Sequence, residues 1–471
     1  VEEVRLAPED WPGALATTDG PQLVVAGPGA GKTEFLVRRA LQLVTDGVEP
    51  ARIAMLTFSR RGASELTRRL RQAVGPGRAA PRAATFHSLA ARIVETHGPA
   101  VAGWSEPPAL LTGPEQVALV AELLAAEDRA AWPPGLADLL GSRSFAEEVT
   151  DFVLRAREHL LDGADLAAAA AGRDDWRAMP GFLARYDAAL SERHRLDYAT
   201  LVVTATRLAA VPAVAEALGR DIEYVLVDEY QDTTPAQAAF LAALLPVGRH
   251  LTVAADPYQS IYSFRGAELG NVDEFGARFR PPGDGPVRRW VLGTSFRVPA
   301  GILAAAERLT AGDLPGAAGP VEPAGPGGRV DVAVFDQQTH EADWIAREIQ
   351  RLHLAEGIPL QAMAVLVRST RRLLPDLSRA LDRRGIAHDR PDARLVDHPA
   401  VRAIADLVDL ATADRRALPE SDQRRAARRL LLGPLLALPL GGEREALRIR
   451  VRDRTPWAEV LRRIEPPATE A

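Results

Sequence analysis

Residues 21–44, PQLVVAGPGAGKTEFLVRRALQLV, decide the fold. PQLVVAG is a short apolar, β-branched run of the kind a strand buried on both faces requires. EFLVRRALQLV carries its apolar residues at helical spacing. Strand, glycine-rich turn and helix in succession form the context in which a phosphate-binding loop works. The glycines let backbone N–H groups curl around a phosphate, and the helix N-terminus adds its partial positive charge. The expected cradle is Ala26, Gly27, Pro28, Gly29, Ala30, Gly31, Lys32 and Thr33, with Ala26 where the pattern usually has glycine. Lys32 reaches the β- and γ-phosphates of a nucleoside triphosphate, and the Thr33 hydroxyl ligates Mg2+.

Composition sharpens this reading. The 471 residues include 57 Lys and Arg together, and Lys32 is the only lysine among them. A coding bias against A/T-rich codons accounts for the arginine excess and for the single asparagine, Asn271. Lys32 resists that drift because a compact ammonium fits a tight loop where a planar guanidinium does not. Net charge of -6 gives no global basic field. The absence of cysteine excludes disulfides, thiolate zinc and iron–sulfur sites. VEEVRLAPED lacks the pattern of a signal peptide, and the apolar run at 430–442 is too short to span a bilayer. The expectation is a cytoplasmic protein of several domains without membrane association.

A second nucleotide element lies at 222–233, IEYVLVDEYQDT. An apolar strand ends there in Asp228 and Glu229, beside the phosphate loop in sheets of this kind. Asp228 is expected to hold Mg2+, and Glu229 to orient and deprotonate the attacking water. Other segments pair aromatic with polar residues. RRGASELTRRL opens a helix whose Arg60 or Arg61 can hold backbone phosphates. TFHSLA places Phe86 beside His87, and IYSFRG offers Tyr262, Phe264 and Arg265. Readers of single-stranded nucleic acid need such aromatic faces for stacking beside polar groups for phosphates.

AGPGAGKT, LTFSRRGASELTRRL (56–70), TFHSLAARI (85–93), LDYATLV (196–202), VDEYQDT (227–233), DPYQSIYSFRGA (256–267) and LGTSFRVP (292–299) occur in one order. In that order the chain resembles the UvrD/Rep-type superfamily 1 DNA helicases, from about residue 6 to about residue 400. The resemblance implies an α/β fold: P-loop NTPase (RecA-like) parallel-sheet motor domains with inserted helical subdomains. It implies an ATP-dependent 3′-to-5′ DNA helicase and translocase, stimulated by single-stranded DNA, that uses ATP and Mg2+ in DNA repair or recombination. Gln259 then matches the family's γ-phosphate sensor. Arg297 matches the arginine that stabilises charge on the transferred phosphoryl group. Arg60, Phe86, His87, Tyr262, Phe264 and Arg265 are the implied DNA contacts, and Phe296 stands where the family has a tyrosine beside the adenine. Single-stranded and duplex DNA are the implied partners.

Together with composition and motif spacing, the resemblance implies the domain boundaries. Residues 1–97 plus 196–291 form the first motor domain, interrupted by an Ala-, Leu- and Arg-rich helical insertion at 98–195. Residues 292–385 begin a second motor domain, in which RVDVAVFD and AMAVLVRS flank a helix as a β–α–β unit. Residues 386–471 begin a second helical insertion. The chain departs from the family at Asp10, which replaces the adenine-sensing glutamine and accepts but cannot donate a hydrogen bond, and at Glu34, where relatives often carry a basic residue. The late family segments T-x-H-x-x-K-G and V-A-x-T-R-A have no counterpart, so a fragment of a longer helicase is expected. Two alternatives stand beside the motor. One is a helicase-like subunit that binds ATP and DNA without moving. The other is the motor part of a helicase–nuclease of the AddA/RecB/AdnB group, with a partner subunit.

Overall fold

The computed structural model describes residues 2–17, 20–245, 250–280, 285, 287–310, 314–317, 319–389 and 399–411. Two compact units follow one another along the chain, Val1–Asp331 and Val332–Ala471.

The first unit is built on seven parallel strands. They are β1 (Glu2–Leu6), β2 (Gln22–Ala26), β3 (Ile53–Thr57), β4 (Arg82–Thr85), β5 (Tyr224–Val227), β6 (His250–Ala255) and β7 (Arg288–Leu292). Their order across the sheet is β1-β7-β2-β6-β5-β3-β4. Every ladder in it is parallel, as in Val25 opposite Ala255 and Leu56 opposite Val227. Strands β2, β3 and β5 are buried at every position, which is why their sequences read as unbroken apolar runs. Helices cover both faces. Phe86–Ala102, Tyr198–Ala209 and Pro235–Leu244 pack on one face through Leu89, Ile93, Leu201 and Phe240. Lys32–Thr45 and Arg60–Val74 pack on the other through Phe35, Leu36, Leu66 and Leu70. A three-layer α/β/α domain results.

Between β4 and β5 the chain leaves the sheet for a helical insertion. A two-residue parallel ladder, Ala109–Leu110 with Arg195–Leu196, closes its base. Its own core runs from Leu111 to Leu190 around Trp132, Phe182 and Tyr186. The Tyr186 hydroxyl donates to Asp197 Oδ2 at 2.8 Å, and Asp197 Oδ1 caps the next helix by accepting from the Thr200 N–H at 2.7 Å. Among the described residues no single helix is long and apolar enough to cross a membrane.

The second unit differs from expectation in one respect. Its helices Gln338–Glu356 and Thr370–Arg383 form and pack through Ala342, Ala346, Leu377 and Leu381. The flanking segments RVDVAVFD and AMAVLVRS, expected as strands, form no ladder. Val332 is 87% exposed, Val334 90% and Leu366 95%. Strand character resides in cross-strand pairing, and no partner strand reaches these segments among the described residues. Helix Pro399–Ala411 follows, while 390–398 and 412–471 of the expected second insertion lie outside the described residues.

Candidate nucleotide and nucleic-acid site

Each motif singled out in the first unit sits just past the carboxyl end of a strand. Because β2, β6 and β5 are neighbours, the residues that follow them converge in one crevice. After β2 the loop turns through Gly29 (φ +75°) and Gly31 (φ +93°), left-handed values that favour glycine, and Lys32 opens the helix. Space is as restrictive as angle. A Cβ on Gly27 would stand 2.2 Å from Val321 Cγ2, and one on Gly29 would stand 2.8 Å from Ser295 Oγ. Trp11 closes the loop from beneath, in edge contact with Phe35.

Lys32 is 8% exposed, and its Nζ lies 3.1 Å from Asp256 Oδ2, just after β6. Burying an ion pair costs desolvation that the pairing only offsets, so the arrangement indicates a function beyond stability. The Thr33 hydroxyl donates to Asp228 Oδ2 at 2.8 Å. Burial, reinforced by the neighbouring Glu229, raises the Asp228 carboxyl to about 6. Asp256 is raised by burial too, against the opposing pull of Lys32. Carboxyls whose charged form is penalised this way are the donors a divalent cation compensates, so Thr33 and Asp228 fit Mg2+.

Glu229 takes a left-handed backbone (φ +56°) without being glycine. Such strain persists only where the surroundings impose it. Gln231 supplies part of that constraint: its Nε2 donates to Glu229 Oε2 at 2.8 Å, and its Oε1 accepts from the Asp256 N–H at 2.9 Å. One buried amide thus ties the ends of β5 and β6 together and aims Glu229. Sequence reading passed over Gln231 and Asp256, although both lie inside the motifs DEYQDT and DPYQSI. Asn271, the only asparagine, is 1% exposed, and its Nδ2 donates to the Thr233 carbonyl at 2.9 Å. Gln259 is half-buried and closes the Asp256 turn through its backbone N–H at 2.9 Å.

Past β7, Ser295 donates its hydroxyl to the Pro28 carbonyl at 2.7 Å, and the Phe296 N–H donates to the Gly29 carbonyl at 3.0 Å. Arg297 follows with its Cβ against Gly29 and its side chain exposed. Phe296 is 55% exposed. Asp10 is exposed and spends its carboxylate on the Ala7 N–H at 3.1 Å, capping its own turn.

An aromatic ledge borders the crevice. Phe58, just past β3, stacks on Tyr262 with centroids 4.9 Å apart and planes 27° apart. Tyr262 in turn meets Phe264 at 6.0 Å. Phe264 stands 60% exposed on the edge of that array. Two bodies hold the segment: Arg155 of the insertion donates to the Phe264 carbonyl, and the Glu268 N–H donates to Thr233 at 3.1 Å. Phe58 was missed because a lone Phe after a buried strand reads as core. Phe86 requires the opposite correction. It is 1% exposed and packed in the main core, so it offers no face to a base. As first residue of a helix capped by Thr85 it turns inward, and only His87 stays half-buried, edge-on to Tyr198 at 5.5 Å. Burial lowers the His87 imidazole pKa, favouring the neutral ring. Arg60 is exposed at the start of its helix. The Arg265 side chain lies outside the described residues.

Residues 8–280 match the family model described as the UvrD/REP helicase N-terminal domain. The ATP-dependent DNA helicase PcrA of Bacillus subtilis (strain 168) is 30% identical over 265 residues, covering 56% of this chain and 34% of that protein. PcrA of Staphylococcus aureus (strain Mu50 / ATCC 700699) is 27% identical over 362 residues, covering 76% of this chain and 47% of that protein. The chain therefore spans between a third and a half of the length of these relatives.

Proposed function

The chain belongs to the UvrD/REP helicase family, and from that premise we propose that it is an ATP-driven motor acting on DNA. The observation that carries the reading is the convergence of Lys32, Thr33, Asp256, Asp228 and Glu229 at three adjacent strand ends, with Gln231 bridging two of them. The nucleotide's phosphates lie on the backbone N–H groups of Gly29 to Thr33. Lys32 exchanges Asp256 for the β- and γ-phosphates, which releases the Asp256 carboxylate. Thr33 and Asp228 would hold Mg2+, which when bound would compensate charge on the phosphate oxygens. Glu229, fixed by Gln231, accepts the proton of the attacking water. Arg297 approaches the γ-phosphate from the segment seated on the loop, and Gln259 relays its state towards Tyr262. Single-stranded DNA stacks on Phe264 and Tyr262, backed by Phe58, while Arg60 and His87 contact the strand.

The same reading assigns 1–97 plus 196–291 to the first motor domain and 98–195 to its insertion. It assigns 292–385 to the start of the second motor domain and 386–471 to a second insertion. It includes 3′-to-5′ polarity, stimulation by single strands and a role in DNA repair or recombination. A helicase–nuclease partner subunit is the extension that the family's wider membership suggests.

ATP turnover by the 471-residue chain, with and without single-stranded DNA and beside Lys32→Ala, tests the reading. DNA-stimulated turnover lost in Lys32→Ala supports a motor. ATP binding without turnover, in the presence of DNA, would reduce the chain to a nucleotide-gated binding subunit.

A further inference from the structure

A groove of about 560 Å³ opens at the opposite side of the sheet edge, where β4 begins. It lies between the end of helix Arg60–Val74, the turn that leads into β4, and helix Phe86–Ala102. Arg71, Arg78, Arg82 and Arg92 line it, and among the described residues no carboxylate does. All four are exposed, and none makes an ion pair or side-chain hydrogen bond among the described residues. On the same helix Arg68 and Arg69 both pair with Glu65, and Arg220 and Arg351 pair with Glu216 and Glu348. The whole chain holds more acidic residues, 63, than basic ones, 57. Four guanidinium groups converge in this groove, whose own lining holds no acid among the described residues. Burial is the first cause of the lowered Arg92 pKa and Arg82 the second, with Asp221 acting the other way.

The chemistry of the walls selects the ligand. Guanidinium forks pair bidentately with phosphate oxygens. No aromatic side chain lines the groove, so an unpaired base would find nothing to stack on. Its apolar lining is limited to Ala80, Pro81, Ala83, Ala84 and Pro76, with no pocket for the large anchor residue that a protein partner would bury. Towards helix Phe86–Ala102 the surface changes: Glu49 and Asp221 appear, while Arg52 and Arg220 are already engaged by Glu223 and Glu216. Arg82 and Arg92 border both surfaces, while Arg71 and Arg78 belong to the groove without carboxylates. We propose that this groove seats the phosphate backbone of duplex DNA, at the opposite end of the strands from the aromatic ledge.

The proposal rests on charge and shape at β4 and not on the ATP site, so its test omits nucleotide. Binding of a fluorescent, blunt 20-base-pair duplex of mixed sequence to the 471-residue chain is measured by anisotropy over a salt series. Each phosphate contact contributes about 0.9 to the slope of log K against log salt. Arg78→Gln/Arg82→Gln should therefore flatten the slope by about 1.8 and weaken binding roughly tenfold or more near 0.1 M salt. Arg78→Lys/Arg82→Lys, which keeps the charge, should retain most of the slope. An unchanged slope in the glutamine pair overturns the proposal. So does a chain that ignores the duplex but binds polyglutamate through these arginines, which would make the groove a protein-docking surface. A collapse of single-strand-stimulated ATPase in the glutamine pair would also overturn it, because the groove would then not be separate from the motor site.

Discussion

The nucleotide cradle and the aromatic ledge lie at the same end of one sheet and are built in opposite ways. The cradle is buried and polar. Lys32 pairs with Asp256, Thr33 bonds Asp228, and Gln231 fixes both Glu229 and the Asp256 backbone. The ledge is open and apolar, with Phe264 60% exposed and Ile261 67% exposed, and it is tethered mainly through backbone groups. A cradle of mutually dependent polar atoms cannot lose one member without leaving others unsatisfied. A ledge of stacked rings loses affinity in increments. On the proposed function, the contrast teaches that chemistry at this crevice demands over-determined geometry, whereas grip on a strand of arbitrary sequence only needs faces.

The comparison is tested most strongly in the cradle. Glu229→Gln should leave ATP binding intact and lower turnover by about 10²–10⁴-fold in single-turnover assays. Retained turnover would remove Glu229 as the base. Lys32→Arg, which conserves charge, should nearly match Lys32→Ala in lost ATP affinity by calorimetry; near-normal affinity would show that the loop accepts a guanidinium. Phe86→Ala separates core from ledge. It should cost about 3–5 kcal/mol of stability in denaturant unfolding. The folded fraction should still bind single strands normally.

Smaller effects belong to the ledge and its margins. Phe264→Ala should weaken single-strand binding by about 1–3 kcal/mol and uncouple ATPase from DNA. Unchanged coupling would return Phe264 to a structural role. Asp232 is raised to about 7 by burial and by Glu229, and Asp228 to about 6. These carboxyls titrate near 4 in the unfolded chain, so the folded state binds more protons between pH 4 and 7. Stability of the nucleotide-free chain should therefore fall as pH rises through that window. Asp232→Asn should flatten the fall by a few degrees of melting temperature. A steeper fall in the variant would contradict the burial argument.

Much of this was legible in the sequence because the physics was local. The apolar run before Gly27, the glycines with left-handed φ, and the lone Lys32 among arginines each state a constraint that neighbouring residues impose. The same holds for the apolar run ending in Asp228 and Glu229. Tertiary structure decided whatever depended on partners distant in the chain. Phe86 and Phe264 sit in equally polar motifs, yet one is core and the other surface, because helix capping turned the first towards the Leu89–Phe240 cluster. Gln231 and Asp256 gained their roles only when β5 and β6 became neighbours. RVDVAVFD has every local mark of a strand and forms none, since a strand exists through the ladder it joins. The arginines at β4 carried no signal in a chain so rich in arginine; their meaning lies in the groove where the fold gathers them.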